Sequence, residues 1–257
     1  MTRAPLPHAF VDIPIAHRAL HDRAAGRIEN SPAAITAAVE AGYGIEIDLQ
    51  LSADGIAMVF HDEDLDRLTD ETGPVVARTA ADLGRIRLKD STDTIPTLAE
   101  VLTLIDGRAP LLVEIKDQSL TMGPTDGRLE AATAECLKTY QGPVAVMSFN
   151  PSSVHHMARL APETPRGITT SAYDPTDWAP LPEAICDRLR QIPDYEATGA
   201  SFVSHEAADL SRPRLAELKA MGATILCWTI RSPEAEALAR HVADNVTFEG
   251  YRAALAT

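Results

Sequence analysis

Segments with the pattern of short buried strands alternate with helical segments from one end of this chain to the other. The helical stretches include Pro32–Ala41, Pro151–Leu160 and Pro213–Met221. This alternation is typical of parallel α/β folds, and eight strands favour a closed barrel over an open sheet. The chain has 257 residues, of which 45% are hydrophobic, and this is enough for one large core. We therefore expect an α/β fold, a single (β/α)8 TIM barrel spanning residues 1–257. The predicted strands are Ile13–His17, Gly44–Leu49, Leu111–Lys116, Val144–Met147, Arg166–Ile168, Ser201–Val203, Thr224–Thr229 and Asn245–Phe248.

One stretch of the sequence does not fit the repeating unit. A short return strand, Ile56–Phe60, is predicted after the second barrel strand, and residues 60–97 are rich in Asp, Thr and Gly. Connections in α/β units are short, so a segment of this length is interpreted as an insertion. Because it begins beside His61, where the return strand ends, we expect it to lie over the active-site end of the barrel.

Acidic and apolar residues alternate in the second predicted strand. Residues two apart in a strand point to the same face, so Glu46 and Asp48 project together. Both faces of a parallel barrel strand are covered, and buried carboxylates need a partner. Glu114 repeats this pattern at the end of the third strand. Oxygen-only ligands favour a hard cation, so we expect one divalent ion, magnesium or calcium, bound by Glu46, Asp48 and Glu114.

Basic residues and histidines lie at the same strand ends. His17 and Arg18 end the first strand, Lys116 ends the third, and His61 follows the return strand. Active sites of barrels are built at the carboxyl ends of their strands. Arg18, Lys116 and a metal would make the site locally positive, as a phosphate substrate requires. An alternative is that Glu114 and Lys116 form a private ion pair inside the barrel.

Six short motifs occur in a fixed order over the first half of the chain. They are His17-Arg18-Ala19, Glu29-Asn30-Ser31, Glu46-Ile47-Asp48, His61-Asp62, Ile95-Pro96-Thr97-Leu98 and Glu114-Ile115-Lys116. In this order and density they resemble the glycerophosphodiester phosphodiesterase family. The resemblance continues more weakly through Ser148-Phe149 and Cys227-Trp228-Thr229.

Two positions depart from the pattern of that family. Ala19 stands where the family usually has glycine, which predicts a different turn after the first strand. Near the carboxyl terminus, Thr247-Phe248-Glu249-Gly250 replaces the usual Thr-Asp with a following proline. This second departure predicts a changed wall on the substrate side of the site.

The resemblance implies a phosphoric diester hydrolase. Its substrate would be a small-molecule glycerophosphodiester, cleaved to glycerol 3-phosphate and an alcohol. His17 and His61 would be the catalytic acid and base, in either order, while Arg18, Lys116 and Trp228 would contact the substrate. The resemblance leaves open the leaving alcohol, the choice of metal, the first nucleophile and the oligomeric state.

Two other functions are compatible with the same motifs. One is a related barrel enzyme, such as a phospholipase or a sphingomyelinase D-like phosphotransferase. The other is a barrel that binds phosphorylated ligands without catalysis. The presence of both His17 and His61 speaks against the silent barrel.

Composition excludes several classes of partner. The formal net charge of −14 argues against nucleic acid or an anionic membrane as a partner, because both bind proteins through basic patches. No apolar stretch approaches the length of a membrane span, and the segment Met1–Phe10 lacks the pattern of a signal peptide. Three widely spaced cysteines without a CxxC motif indicate buried thiols rather than disulfides. These features predict a cytoplasmic enzyme without a membrane anchor.

Overall fold

Parallel strands close into a barrel, as predicted. The structure, a computed structural model, describes residues 3–255. Within these residues eight parallel strands form the barrel, in the order β1, β2, β4, β5, β6, β7, β8 and β9, and β9 pairs with β1 to close it. The remaining strand, β3, pairs antiparallel with the end of β2. The strands are β1 (Ile15–Ala16), β2 (Gly44–Leu51), β3 (Ala57–Val59), β4 (Leu111–Ile115), β5 (Val144–Ser148), β6 (Arg166–Thr170), β7 (Phe202–Glu206), β8 (Thr224–Ile230) and β9 (Asn245–Phe248).

Most helices follow the barrel strands and cover their outer faces, whereas α1 precedes β1 and α3 belongs to the segment after β3. They are α1 (Ala9–Asp12), α2 (Pro32–Ala41), α3 (Ala80–Leu83), α4 (Leu98–Ile105), α5 (Arg128–Leu137), α6 (Pro151–Leu160), α7 (Glu183–Arg190), α8 (Pro213–Ala220) and α9 (Pro233–Ala239). Proline at the first helical position begins four of them, and Ser31, Asn150 and Ser232 cap three of those four. No helix among the described residues combines the length and the hydropathy needed to cross a bilayer.

The two faces of β2 have opposite chemistry. Ile45, Ile47 and Leu49 belong to the large apolar cluster between the barrel and its helices. The alternate residues, Glu46 and Asp48, line the pocket inside the barrel mouth, as the period of two requires. Deeper in the barrel the interior is apolar and is filled by a second cluster that includes Phe10 of α1 and Phe202. The carboxylates therefore lie above a packed plug rather than in a channel.

Two strand predictions were misplaced at their ends. The first strand was predicted as Ile13–His17 but is only Ile15–Ala16, because Arg18 and Ala19 turn into the left-handed region with φ of 50° and 65°. The sixth predicted strand, Ser201–Val203, corresponds to β7, which is Phe202–Glu206. The last three residues of this strand are polar, so a prediction based on apolar residues ended the strand too early.

Residues 60–97 have an apolar core of their own, which the polar composition did not predict. The cluster joins Phe60, Leu65, Leu68, Val75, Leu83, Leu88 and Ile95 to Met58 of β3 and to Ile28. Short bridges such as Thr69 with Leu88 and Arg87 with Thr94 tie the segment to itself. It is thus a packed excursion rather than a loose loop, and we refer to residues 60–97 as the excursion.

Candidate active site

A narrow cavity of about 60 Å³ opens at the carboxyl ends of the barrel strands. It brings together every residue predicted for the site: His17, Arg18, Glu46, Asp48, His61, Glu114, Lys116 and Trp228. Met147, Phe149 and Thr247 complete its lining. The cavity thus joins side chains from both halves of the chain.

The three predicted metal ligands form one buried cluster. Oxygen atoms of Glu46, Asp48 and Glu114 lie within 4.8 Å of one another. Asp48 and Glu114 are register partners on adjacent strands, which places their side chains together. Burial, and then the charges of Asp48 and Glu114, raises the pKa of Glu46 well above its usual range. Concentrated negative charge on oxygen donors fits a hard divalent cation.

Lys116 contacts two of these carboxylates. Its Nζ lies 2.7 Å from Oδ1 of Asp48 and 2.5 Å from Oε1 of Glu114. The Glu114–Lys116 ion pair is therefore formed, but it is not private, because Asp48 shares the ammonium. Burial would by itself raise the pKa of Asp48, but Lys116, His61 and Arg18 outweigh it and hold the pKa far below its usual range. Asp48 thus stays ionised in the cluster.

A buried asparagine fixes the orientation of Asp48. Asn30 donates from Nδ2 to Oδ2 of Asp48 at 2.8 Å, and its Oδ1 accepts the backbone N–H of Asp48 at 3.2 Å. This two-point contact comes from the turn before α2, where Asn30 has a φ of 61°. Asn30 therefore holds the carboxylate without changing its charge.

His17 is held by a carboxylate that directly follows the last barrel strand. Its Nδ1 lies 2.6 Å from Oε2 of Glu249, and His21 Nε2 lies 3.5 Å from the same oxygen. Hydrogen bonds from His17 and His21 keep the pKa of Glu249 far below its usual range. An ionised carboxylate only accepts, so Nδ1 of His17 carries the proton and Nε2 is left for chemistry. Burial lowers the pKa of His17, although Glu249 opposes this.

His61, which also lines the cavity, has the same kind of partner. Its Nδ1 lies 2.7 Å from Oδ1 of Asp62, so Nε2 is again free. Arg67 of the excursion donates from Nε to Asp62 at 2.6 Å and from Nη2 to Glu29 at 2.7 Å. Glu29 accepts in turn from Nη1 of Arg18 at 2.7 Å. A continuous chain of ion pairs thus joins His61 to Arg18.

The turn after β1 places Arg18 over the carboxylates. Its backbone N–H donates to Oε2 of Glu46 at 2.8 Å, and its Nε lies 3.7 Å from Oδ2 of Asp48. That Nε is buried and has no hydrogen-bond partner among residues 3–255. Ala19, at a φ of 65°, adopts the left-handed conformation that glycine takes more easily. The turn expected to differ at Ala19 therefore keeps a left-handed residue there.

Aromatic residues form one side of the cavity. Trp228 Nε1 donates to the carbonyl oxygen of Ser204 at 3.1 Å, which leaves the indole faces for contact. Phe149 meets it edge to face with ring centroids 5.5 Å apart. His205 of β7 is fully buried, with its Nδ1 2.7 Å from Oγ1 of Thr170 and its Nε2 3.1 Å from Oδ2 of Asp209.

Sequence reasoning missed three residues around the site. Glu249 was noted only as a departure from the family pattern, and its contact with His17 spans 232 positions. Arg67 lies within the excursion, and His21 showed no distinguishing context. A carboxylate near the end of the last strand was the available signal for Glu249, since the ends of all barrel strands meet.

Comparison with known proteins agrees with this geometry. A glycerophosphodiester phosphodiesterase of Caldanaerobacter subterraneus subsp. tengcongensis is 33% identical over 148 residues, which are 54% of this chain and 60% of that protein. One from Bacillus subtilis is 26% identical over 175 residues, 60% of this chain and 59% of that protein. The chain therefore spans about 60% of the length of these curated relatives.

A solved structure and a family model match more of the chain. A phosphodiesterase of Oleispira antarctica, solved in complex with its product sn-glycerol-3-phosphate, superposes with a TM-score of 0.73 at 27% identity. The match covers 94% of this chain and 94% of that one. The model of the glycerophosphoryl diester phosphodiesterase family matches residues 17–248. On this evidence the chain belongs to the glycerophosphoryl diester phosphodiesterase family.

Proposed function

We propose that this protein is a metal-dependent hydrolase that cleaves a glycerophosphodiester into glycerol 3-phosphate and an alcohol. The observation that carries the proposal is the cluster of Glu46, Asp48 and Glu114, which lines the same cavity as two histidines. Each histidine has its Nδ1 on a carboxylate and its Nε2 free. The product seen with the Oleispira antarctica relative supports this class of substrate.

Negative charge on the phosphoryl oxygens is the first problem of the reaction. A divalent cation held by Glu46, Asp48 and Glu114 would polarise the phosphoryl group, and either magnesium or calcium suits these oxygen ligands. Arg18 and Lys116 lie beside the same carboxylates and add positive charge. The unpartnered Nε of Arg18 supplies a donor for a phosphoryl oxygen.

Proton transfer to a poor leaving group is the second problem. His61 lines both the small cavity and a larger cleft beside it, whereas His17 lines only the small cavity of these two. We therefore assign His61 as the acid whose Nε2 gives a proton to the alkoxide as its bond to phosphorus breaks. His17 is the base. Its Nε2 takes the proton from the attacking oxygen, which belongs to water or to a hydroxyl group of the substrate, as the new P–O bond forms.

The excursion contributes to the site rather than only covering it. His61 and Asp62 begin it, and Arg67 links it to Arg18 through Glu29. We propose one catalytic barrel domain with the excursion as part of its active-site end.

We also propose that the protein resides in the cytoplasm. Cys136, Cys186 and Cys227 are all free thiols, as a reducing compartment allows.

Release of glycerol 3-phosphate tests the proposal. The purified protein is incubated with a panel of glycerophosphodiesters after chelation, and then again with magnesium or calcium restored. Glycerol 3-phosphate is measured with a coupled dehydrogenase, and phosphorus NMR identifies every phosphate product. We expect metal-dependent release from wild type and loss of at least ~100-fold in His17→Ala.

Two results would contradict the proposal. Absence of turnover with every diester and both ions would indicate a barrel that only binds phosphorylated ligands. A cyclic phosphate that accumulates without hydrolysis would instead indicate the phosphotransferase alternative.

A further inference from the structure

A second, larger cleft adjoins the small cavity. Its volume is about 700 Å³, and it shares His61, Glu114, Lys116 and Phe149 with the cavity of the carboxylates. A diester whose phosphate lies at the carboxylates can therefore extend one of its two alcohols into the cleft. Since His61 stands at the junction, that alcohol is the one next to the proposed acid.

One part of the cleft lining is apolar and aromatic. Phe149 and Trp178 are in contact with ring centroids 5.1 Å apart, and both line the cleft. Leu120, Met122 and Leu181 extend this lining, and Leu120 is 62% exposed. A cleft lined by several apolar and aromatic side chains is typical of a ligand-binding site.

Another part of the lining carries negative charge that nothing neutralises. The side chains of Glu63 and Asp177 have no hydrogen-bond or ion-pair partner among residues 3–255. Among residues 3–255, the hydrogen bonds to the Asp117 carboxylate come from neutral donors, including Ser119 and Asn150. Burial, followed by the charges of Asp64, Asp117 and Asp62, raises the pKa of Glu63. A cation in the cleft would relieve this repulsion.

The basic groups at the cleft do not balance these carboxylates. Lys116 is engaged by Asp48 and Glu114, and His61 is engaged by Asp62. Arg67 lies outside the cleft lining and is bound to Asp62 and Glu29. The cleft thus combines aromatic faces with uncompensated carboxylates, the two features that bind an organic ammonium ion.

We propose that this cleft binds the leaving alcohol and selects diesters whose alcohol carries an ammonium group. Phe149 and Trp178 would contact the methyl or methylene groups around the nitrogen, while Glu63 and Asp177 would supply the opposite charge. This inference rests on the proposed function, because it needs a diester whose phosphate is held at the carboxylates. The alternative that the test must distinguish is a leaving alcohol with an apolar chain, which would occupy the same cleft.

A pair of substrates with equal shape isolates the charge. The first is glycerophosphocholine, and the second is its 3,3-dimethylbutyl analogue, in which a neutral carbon replaces the nitrogen. We expect kcat/KM for the choline diester to exceed that for the analogue by about tenfold at low salt. The ratio should shrink as salt is raised, because Glu63 and Asp177 are exposed and their charges are screened. Glycerophosphoglycerol serves as the third substrate, because its leaving alcohol is polar but uncharged.

Substitutions assign the preference to the cleft. Glu63→Gln with Asp177→Asn should reduce the ratio to about twofold, since the charge is lost while the shape is kept. The control Glu163→Gln changes the net charge in the same direction, but Glu163 lies in the connection before β6, at the opposite end of the barrel. It should leave the ratio at the wild-type value.

The outcomes separate this inference from the proposed function. If all three diesters release glycerol 3-phosphate but the choline diester and its neutral analogue do so at equal rates, the ammonium preference is wrong while the hydrolase stands. A higher rate for the neutral analogue would favour an apolar chain as occupant. If none of the diesters is hydrolysed, the proposed function fails first.

Discussion

Glu249 accepts a hydrogen bond from Nδ1 of His17 at 2.6 Å, across the junction where the last barrel strand meets the first. The same carboxylate binds Arg231 through its other oxygen at 2.8 Å. Burial lowers the pKa of His17, and the negative charge of Glu249 and of Asp48 works in the opposite direction, while Arg18 adds to the lowering. Glu249 therefore fixes the tautomer of this histidine and partly offsets the lowering of its pKa by burial.

Removing the charge of Glu249 should shift the pH dependence of kcat/KM. In Glu249→Gln the group that raises the pKa of His17 is lost, so this pKa falls further below its ordinary value. We expect the limb of the kcat/KM profile that reports His17 to move to lower pH, with a loss of roughly tenfold at the optimum. As His17 is assigned as the base, this is the acid limb.

The neighbouring ion pair provides the control. Arg231→Gln removes only the exposed contact on the other oxygen of Glu249 and leaves the bond to His17. Its profile should follow that of wild type. An unchanged profile in Glu249→Gln would show that Glu249 does not position or tune His17.

The carboxylate cluster should be required for metal binding. We expect Glu46→Gln, Asp48→Asn and Glu114→Gln each to weaken binding of magnesium and calcium by at least ~10-fold, because each removes one anionic oxygen ligand. Isothermal titration measures this directly. Glu130→Gln alters another buried carboxylate, one that bonds Ser153 away from the cluster, and should bind normally. Equal affinities in all four variants would exclude the site.

The roles of the two histidines can be separated by the leaving group. A p-nitrophenyl ester of glycerol 3-phosphate releases a stable anion, whereas glycerophosphocholine releases a basic alkoxide. We expect His61→Ala to lose at least ~100-fold on the choline diester and far less on the nitrophenyl ester, because the acid is needed only for the alkoxide. His17→Ala should lose activity on both. His241, an exposed histidine, is the control position. The reverse pattern would exchange the two roles.

Sequence patterns predicted the barrel because strand and helix periods are local properties. Glu46, Asp48 and Glu114 were predictable for the same reason, since alternation within a strand fixes the face of each side chain. The contacts of Glu249 and Arg67 were not, because each depends on where a loop returns after the barrel has closed. The apolar core of the excursion was not predicted, because its apolar residues are widely spaced in the sequence among many Asp and Thr residues and form no regular pattern.

The ion-pair chain from His61 to Arg18 depends on Arg67. Arg67→Met keeps most of the aliphatic stem but leaves Asp62 and Glu29 without their shared cation. We expect a loss of about tenfold in kcat/KM with little change in Tm, because the guanidinium is partly exposed and such pairs add little stability. Arg85→Met is the matched control, since Arg85 lies in the same excursion and its ion pair within residues 3–255 is with Asp82, away from Asp62 and Glu29. Similar losses in both variants would indicate a nonspecific effect of charge.

The packing of the excursion should control how well His61 and Asp62 are held. Deleting its middle would remove Val75, which is buried in the small core and bonds Glu63 through its backbone, so a point substitution is the cleaner test. Val75→Ala should cost the excursion about 1–2 kcal/mol through lost burial and the cavity left behind. Faster hydrogen exchange across residues 60–97 and lower turnover should follow together, because His61 begins this segment.

The adjacent residue Val76 is the matched control for this last test. It lies in the same short turn, Val75–Ala77, but is 46% exposed, so Val76→Ala removes the same atoms without opening a core. We expect its exchange and turnover to stay close to those of wild type. If Val75→Ala loosens the excursion and activity is unaffected, then residues 60–97 cover the barrel without holding His61 and Asp62 in place. If the two variants exchange at equal rates, the small core does not hold the excursion together.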